Sequence, residues 1–380
     1  MNGEQVLKNA RIVGRGEVIP GSLKIENGLI QALDQGYTSN SGALDLEGDF
    51  LLPGFVEVHT DNLEKHLAPR PGVIWSQPLA ALHAHDTQVI GAGITTVLDS
   101  VWVGEEHEAG LRRAMLELSV QVVSEAQHMN TLRAEHLLHL RCEVSDPCVL
   151  ELFQPHCRRP GVKLVSLMDH TPGQRQFADP AKYRQYYKKQ GWSLEEFQEV
   201  SDRLRENHLR HADKNRQEII GECQRLNLPL ASHDDTTTKQ VDQARQEGVA
   251  ICEFPTTMAA AQTARQSGMA VVGGAPNLVR GVSHSGNVSM RSLTRSGLLS
   301  ILSSDYVPSS MLQAVFVLHE HLDYPLSQAA DLVSLNPARA LGLEDRGEIA
   351  PGKRADLVRV KNIDGLALTD SVWRQGVRVF

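Results

Sequence analysis

The sequence lacks long hydrophobic runs and has few cysteines. No segment of its 380 residues approaches the roughly 18 consecutive apolar residues of a transmembrane helix. The N-terminus also lacks the basic and then apolar regions of a secretory signal. Five cysteines, an odd number without Cys-x-x-Cys spacing, argue against a disulfide framework and a thiolate zinc site. We therefore expect a cytoplasmic protein.

Positive charge is also scarce. Lys and Arg number 38 against 46 Asp and Glu, which gives a formal net charge of −8. This balance argues against a general nucleic-acid or membrane binder, so an anionic ligand must be met by locally placed Arg and Lys. With 41% hydrophobic residues, the chain can bury a large core, and its length fits one large domain with an appendage.

The two ends of the chain share a texture of short apolar segments separated by Gly and Asn. Each end is too short to close a core alone, so the two are expected to pair. We predict a small β-sandwich domain built from residues 1–50 and 345–380. Residues 51–344 then form one continuous domain.

The middle of the chain alternates short apolar runs with helix-compatible segments. The eight runs cover residues 55–58, 95–98, 136–140, 162–168, 229–231, 249–252, 270–272 and 298–302. This alternation predicts an α/β protein with a (β/α)₈ TIM-like barrel, whose functional groups lie at the carboxyl ends of the strands.

Potential metal ligands follow most of these runs. In an extended strand, residues i and i+2 point to the same side, so His59 and Asp61 can converge on one ion. An open doubly wound sheet would not explain contributions from so many strand ends. The other candidates of this kind are Glu143, His170, His233, Glu253 and Asp305.

Several blocks of sequence resemble the amidohydrolase superfamily. They include Leu-Pro-Gly-Phe-Val-Glu-Val-His ending at His59, Ser-Ser-Asp ending at Asp305, and Gly-Glu-Ile-Ala-Pro-Gly-Lys-Arg-Ala-Asp-Leu over residues 347–357. More narrowly, His-Thr-Asp-Asn at 59–62 and Gly-Ala-Pro-Asn-Leu-Val-Arg-Gly at 274–281 look like the PhnM family of phosphonate metabolism.

The resemblance implies a metal-dependent hydrolase with a phosphorylated ribose substrate. The reaction would convert α-D-ribose 1-methylphosphonate 5-triphosphate to its 5-phosphate and diphosphate in the carbon–phosphorus lyase pathway, and we predict attack at the α-phosphorus. Two alternatives stay open: an amidohydrolase acting on a cyclic or acyl amide, and a non-catalytic scaffold with the same fold. A homodimer is also left open.

The same resemblance implies the metal ligands. Four residues match positions that bind metal in the superfamily, and one of them, Asp305, would also take the proton from the attacking water. The usual histidine two residues after His59 is replaced by an aspartate. The resemblance implies divalent metal ions, two in number, with zinc first. Because this ligand set is richer in oxygen, the preference for zinc is weaker and manganese or iron(II) are alternatives. The four residues are His59, Asp61, His233 and Asp305.

The bridging ligand has two candidates in related sites, a carboxylated lysine or a glutamate. Lys163 begins the fourth apolar run, at the wrong end for the site, so Glu143 is preferred. The alternative for Glu143 is an ion pair with Arg141 or Arg133. Glu253 would complete the second ion in place of a histidine that the family usually has after strand six.

Binding a triphosphate requires positively charged hydrogen-bond donors, which a chain with a net charge of −8 must place locally. The planar guanidinium of Arg can hold two phosphate oxygens at once, and Gly-rich turns bring backbone N–H groups close to phosphate. The substrate-binding candidates at predicted strand ends are Lys65, Arg70, His170, Arg175, Arg280, Ser283 and His284.

Two further features have competing interpretations. His83 and His85 suggest a second metal site, but a helical setting separates them by roughly 200° around the axis and argues against one common ion. Residues 174–219 are long and charged, and Ser193 with Glu196 predicts a capped helix. This segment is either a lid over the triphosphate, using Lys188 and Lys189, or a solvated helical hairpin.

Overall fold

The computed structural model describes the chain in six segments: residues 3–36, 38–105, 111–178, 183–184, 193–283 and 286–380. Sixteen strands lie in these segments. They are β1 Gln5–Val13, β2 Val18–Glu26, β3 Leu29–Gln35, β4 Leu44–Asp45, β5 Phe50–Pro53, β6 Phe55–Thr60, β7 Ile94–Val103, β8 Glu135–Glu143, β9 Val162–Met168, β10 Leu230–His233, β11 Ile251–Glu253, β12 Ala270–Gly274, β13 Ile301–Ser303, β14 Leu357–Ile363, β15 Leu366–Arg374 and β16 Val377–Arg378.

The α-helices of the same segments follow the barrel strands or connect the two sheets. They are α1 Asn62–Leu67, α2 Pro78–Gly91, α3 Leu111–Met129, α4 Val149–Phe153, α5 Leu194–Leu226, α6 Thr238–Gln246, α7 Met258–Gln266, α8 Ala275–Arg280, α9 Met290–Arg295, α10 Ser310–His321, α11 Leu326–Asp331 and α12 Leu335–Ala340.

Eight parallel strands, β6 to β13, form one sheet in chain order. A parallel bridge between Thr60 and Asp305 links the first strand to the segment after the last, so the sheet curls into a nearly closed barrel. Each of the eight apolar runs in the sequence coincides with one of these strands. The prediction of a TIM-like barrel is therefore confirmed.

Apolar side chains fill the barrel below its carboxyl end. The buried interior cluster includes Val56, Leu98, Leu164, Ile251 and Ile301, each on a different strand. Because these side chains close the centre of the barrel, as is usual in this fold, a ligand can enter only above them, at the carboxyl ends of the strands.

The remaining strands form a mixed sheet from both chain ends. Its order is β16-β15-β14-β5-β1-β2-β3, with β4 also paired to β1. The two ends join where β14 runs antiparallel to β5, with Leu357 opposite Pro53. A separate core that includes Leu7, Ile12 and Trp373 supports this sheet. The predicted pairing of the ends is confirmed, although β5 extends the sheet past residue 50. The proposed division into domains at 50 and 345 stays a prediction.

Local sequence signals explain where α5 begins and ends. The Ser193 side chain accepts from the Glu196 N–H, and the Glu196 carboxylate accepts from the Ser193 N–H, which completes the predicted capping box. The helix ends at Asn227, whose φ of 53° is the left-handed conformation that asparagine tolerates.

None of the described helices has a stretch that is both long and apolar enough to cross a membrane. The five cysteines, all within the described segments, are free thiols. The expectation that they form no disulfide framework is confirmed.

Candidate metal centre and substrate site

The first group of candidate metal ligands consists of His59, His139 and Glu253, whose ligand atoms lie within 4.8 Å of one another. His59 and Glu253 come from the ends of β6 and β11, and His139 lies within β8. The His59 Nδ1 is 3.1 Å from Glu253 Oε1, and the His59 and His139 rings meet edge to face with centroids 5.0 Å apart. All three side chains are buried.

The second group consists of His170, His233 and Asp234. His233 ends β10, and its Nε2 lies 3.5 Å from Asp234 Oδ2. Glu143 holds His170 in place, because its two oxygens lie 2.6 Å from His170 Nδ1 and 2.9 Å from the His170 N–H. The hydroxyl of Ser145 also donates to Glu143. Glu143 thus acts on this group through His170, and its predicted bridging role stays a prediction.

Glu253 joins the two groups. Its Oε1 contacts His59, and its Oε2 lies 3.3 Å from His233 Nδ1. The two imidazole rings stack with centroids 5.4 Å apart at an interplanar angle of 19°. A carboxylate between a histidine of each group is the arrangement that a shared or orienting ligand requires.

The buried histidines of the site are held neutral. Burial, the largest influence, lowers the pKa of His59 and His233 well below the ordinary value, and the positive charge of Arg141 lowers both further. Burial likewise lowers the pKa of His139 to about 3. Neutral imidazole is the form that binds metal, so no proton has to be displaced from these rings.

The donors present fit a divalent transition-metal ion. Among the described residues, no hydrogen-bond partner meets the buried Nε2 of His139, and a metal ion would supply one. Imidazole nitrogens with carboxylate oxygens suit zinc, manganese or iron(II).

Asp305 and Asp61 lie at the edge between β6 and β13. The Thr60 hydroxyl donates to the Asp305 carbonyl over 2.6 Å, which fixes the backbone there. Burial, helped by the charge of Asp61, raises the pKa of Asp305 to about 7. Asp61 caps the start of α1 and forms an ion pair with Lys65 over 3.1 Å.

A buried carboxylate, Glu57, holds the two strands of this edge together. It accepts from the His59 N–H at 2.7 Å, from the Ser303 hydroxyl at 2.7 Å and from the Ser304 N–H at 2.5 Å. Burial raises the pKa of Glu57 to about 7 despite these hydrogen bonds. The contacts set the spacing between His59 on β6 and Asp305 after β13.

Three residues at the strand ends have left-handed backbone. Asp234, Phe254 and Asp305 have φ values of 57°, 51° and 52°. A non-glycine residue adopts this conformation at a cost of about 1–3 kcal/mol, and such residues cluster at functional sites. Their position directly above β10, β11 and β13 marks the same edge of the barrel.

Two of the cationic residues that are predicted to bind substrate already form ion pairs with carboxylates. Arg175 is buried and donates to Asp235 Oδ1 at 2.5 Å and to the His233 carbonyl at 2.7 Å. It therefore orients His233. Lys65 pairs with Asp61.

The other candidates for substrate binding are more dispersed. Arg70 and Arg280 are exposed, Ser283 lies three residues beyond α8, and His170 belongs to the second group. His284 lies outside the described residues. The substrate roles of these residues stay predictions.

Three sequence interpretations concern residues away from the ligand groups. Lys163 is the second residue of β9, at the end opposite the site, as expected. His83 and His85 lie on helix α2 with different partners: His83 Nε2 contacts the Thr131 hydroxyl at 3.2 Å, whereas His85 Nε2 contacts Asp99 at 2.6 Å. They do not share an ion.

The charged segment after β9 reaches the site through α5. His208 pairs with Asp169 over 2.9 Å, and the Asn215 amide donates to the carbonyls of Val144 and Asp146. Lys188 and Lys189 lie outside the described residues. The lid and the helical hairpin therefore both remain open.

The sequence interpretation missed His139 and Arg141 as site residues. His139, Arg141 and Glu143 alternate along β8, so a period of two starting from Glu143 would have identified both. The sequence places Asp234 with His233 and Asp235 among the ligand-like residues after the fifth run, and its left-handed backbone distinguishes it from an ordinary loop residue.

Solved structures define the class of protein. The fold matches 5-methylcytosine deaminase from Klebsiella pneumoniae with a TM-score of 0.67 and 17% identity, over 99% of this chain and 97% of that one. It also matches N-acetyl-D-glucosamine-6-phosphate deacetylase from Mycobacterium smegmatis with a TM-score of 0.63 and 19% identity, over 99% and 100% of the two chains. The fold is that of the amidohydrolases.

Sequence comparisons narrow the class to a family. The model of the amidohydrolase family matches residues 202–380. The chain is 46% identical over 378 residues to the α-D-ribose 1-methylphosphonate 5-triphosphate diphosphatase of Escherichia coli (strain K12), covering 99% of this chain and 100% of that protein. The chain belongs to the family of that diphosphatase, within the amidohydrolase superfamily.

Proposed function

We propose that the protein hydrolyses α-D-ribose 1-methylphosphonate 5-triphosphate to α-D-ribose 1-methylphosphonate 5-phosphate and diphosphate in phosphonate catabolism. The observation that carries this proposal is the 46% identity to the Escherichia coli diphosphatase over 99% of the chain. The buried histidines and carboxylates at the barrel mouth support a hydrolytic site. A cytoplasmic location and a homodimer belong to the same proposal, and light scattering of the purified protein tests the latter.

Two divalent ions, zinc by preference and manganese or iron(II) as alternatives, would be held by the two ligand groups. His59, His139 and Glu253 would hold one ion, and His170, His233 and Asp234 the other. Asp61 and Asp305 lie at the adjoining edge as further ligands. Bound divalent ions lower the pKa of water from 15.7 towards about 7 and withdraw charge from phosphoryl oxygens.

The chain's own carboxylates would handle the proton. Asp305 is held by the Thr60 contact, and a carboxylate beside a bound cation would stay ionised and could accept the proton of the attacking water. Arg175 keeps His233 oriented, and Glu143 does the same for His170. These contacts maintain the site's geometry while substrate enters.

Phosphorus NMR of the reaction in ¹⁸O-labelled water tests the proposal. Metal-loaded protein should release diphosphate, with the label in the 5-phosphate if the α-phosphorus is attacked. Asp305→Asn should lower kcat about 10²- to 10⁴-fold. Label in diphosphate would overturn attack at the α-phosphorus, whereas turnover of hydantoins or N-acyl amino acids in place of the triphosphate would overturn the function itself.

A further inference from the structure

Arg141 lies near the carboxyl end of β8, and no described carboxylate forms an ion pair with it. It lies on β8 two residues beyond His139, so successive inward side chains place it about 6.6 Å nearer the mouth along the strand. No hydrogen bond or ion pair joins its guanidinium to the part of the chain that the structure describes, and its Nε is buried. The sequence-based alternative, an ion pair with Glu143, is not formed.

Cross-strand register surrounds Arg141 with further donors that lack partners. Arg141 pairs with Trp102 on β7 and with Ser166 on β9. The Trp102 indole N–H and the Ser166 hydroxyl are both buried and have no hydrogen-bond partner within the described segments. The guanidinium carbon lies 5.6 Å from the Trp102 ring centroid, which restricts how it can turn. Three neighbouring strands thus present polar hydrogens in one layer.

The charge of Arg141 reaches both ligand groups. Burial is the largest influence on the pKa of five buried groups at the mouth, and Arg141 lowers the pKa of all five. These are His59, His139, His233, Asp234 and Asp305. This shared influence agrees with the position of Arg141 on β8 beside the ligand groups.

We propose that Arg141, with Trp102 and Ser166 beside it, binds the diphosphate part of the triphosphate at the barrel mouth. A guanidinium whose Nε is buried without a partner is costly unless it meets an anion, and its planar donors match phosphate oxygens. Lys65 and Arg175 are bound to carboxylates, whereas Arg141 forms no ion pair with a described carboxylate. The inference rests on the proposed function and deepens it.

In the reaction, the water oxygen bonds to the α-phosphorus as its proton passes to Asp305. The bond from the α-phosphorus to the bridging oxygen breaks, and that oxygen leaves with the bonding pair as part of diphosphate. Negative charge grows on the leaving group at this moment, so a cation there stabilises the transition state more than the bound substrate.

Arg141→Met and Arg141→Lys, in metal-loaded protein, test the inference. The methionine variant should lose about 100-fold or more in kcat/KM. Inorganic diphosphate should inhibit or bind it at least about tenfold more weakly, while ribose 5-phosphate binds equally well. The lysine variant should fall between, because it keeps the charge without the planar donors. The matched control is Arg112→Gln: Arg112 lies 5.0 Å from the same Trp102 ring centroid but pairs with Glu64, so activity should change less than about twofold.

Stability separates binding from a structural role. Because Arg141 forms no ion pair with a described carboxylate and its Nε is buried without a partner, Arg141→Met should leave metal content unchanged and the Tm equal or higher. A lower Tm with lost metal, or diphosphate affinity within threefold of the parent protein, would overturn the inference. If the parent protein does not cleave the triphosphate, the proposed function fails, but the diphosphate titrations of parent and variant still decide the role of Arg141.

Discussion

Two buried clusters of histidine and carboxylate lie on opposite sides of the barrel wall. Among the described residues, only one of them has a ring nitrogen that lacks a hydrogen-bond partner. The first group lies at the mouth. The second cluster, here called the wall network, lies between β7, β8 and helix α2. Both place three potential ligand atoms within 4.8 Å of one another: His59, His139 and Glu253 in the first, and His85, Asp99 and His136 in the second.

The wall network satisfies its own ring nitrogens. Asp99 lies 2.6 Å from His85 Nε2 and 2.7 Å from His136 Nδ1, while Asp86 lies 3.3 Å from His136 Nε2. Asn62 completes the network, since its amide lies 3.0 Å from His85 Nδ1. Both nitrogens of His136 face carboxylates, an arrangement that favours the imidazolium form over a role as metal ligand.

The first group differs because His139 Nε2 has no partner among the described residues. The distances between donors are similar in the two clusters, so spacing alone does not separate a metal site from an ion-pair network. The Nε2 of His139, which has no described partner, is what distinguishes the two clusters. We expect changes in the wall network to affect stability and changes in the first group to affect metal binding.

The largest expected effect is on stability. His136→Gln removes the cation between two buried carboxylates, Asp99 and Asp86. Asp86 keeps Arg133, 3.3 Å away, but Asp99 loses a charged partner, which should cost about 3–5 kcal/mol of unfolding free energy in urea. Metal content should not change. The control is His83→Gln on helix α2, which should change the free energy of unfolding by less than about 0.5 kcal/mol. Loss of metal with unchanged stability would make the wall network the metal site.

The pH dependence of the free energy of unfolding should reveal whether His136 is charged. Burial alone would lower the pKa of His136, but Asp99 and Asp86 outweigh it and raise the pKa to about 9. A raised pKa stabilises the fold below the unfolded value of about 6.5. This contribution, about 3 kcal/mol, is lost as pH rises through 9. The stability difference between the parent protein and His136→Gln should therefore shrink from pH 6.5 to 9.5, and a constant difference would contradict a charged His136.

The fold could be predicted from the sequence more completely than the site. Apolar runs specify strands because burial on both faces requires them, and side chains following a run must lie at the mouth. His139 and Asp99 were missed because each lies inside a strand, where a polar residue gives no local sign of its partner. The contact of Arg175 with Asp235 could not be predicted either, because it depends on two loops meeting in space.

Metal binding should be the quantity most affected at the mouth. His139→Asn removes the open nitrogen and should weaken metal affinity about 10- to 100-fold, the range seen when groups that support a ligand are lost. Competition with a chelator followed by metal analysis measures the change, and the Tm of the metal-free variant should stay within a few degrees. If the variant bound metal as tightly as the parent protein, the Nε2 of His139 would not be a metal ligand, and the first group would not differ from the wall network.

The smallest expected effect is that of changing Asn62, which contacts both the mouth and the wall network. This change tests whether the two clusters are independent of each other. Asn62 follows Asp61 at the mouth and donates to His85 in the wall network. Asn62→Ala removes this bond and should cost about 1 kcal/mol of stability. If the two regions are independent, metal affinity should change less than threefold, since Asp61 keeps its pairing with Lys65. A tenfold fall in metal affinity without further loss of stability would show that the wall network positions Asp61, and the two clusters would then be parts of one site.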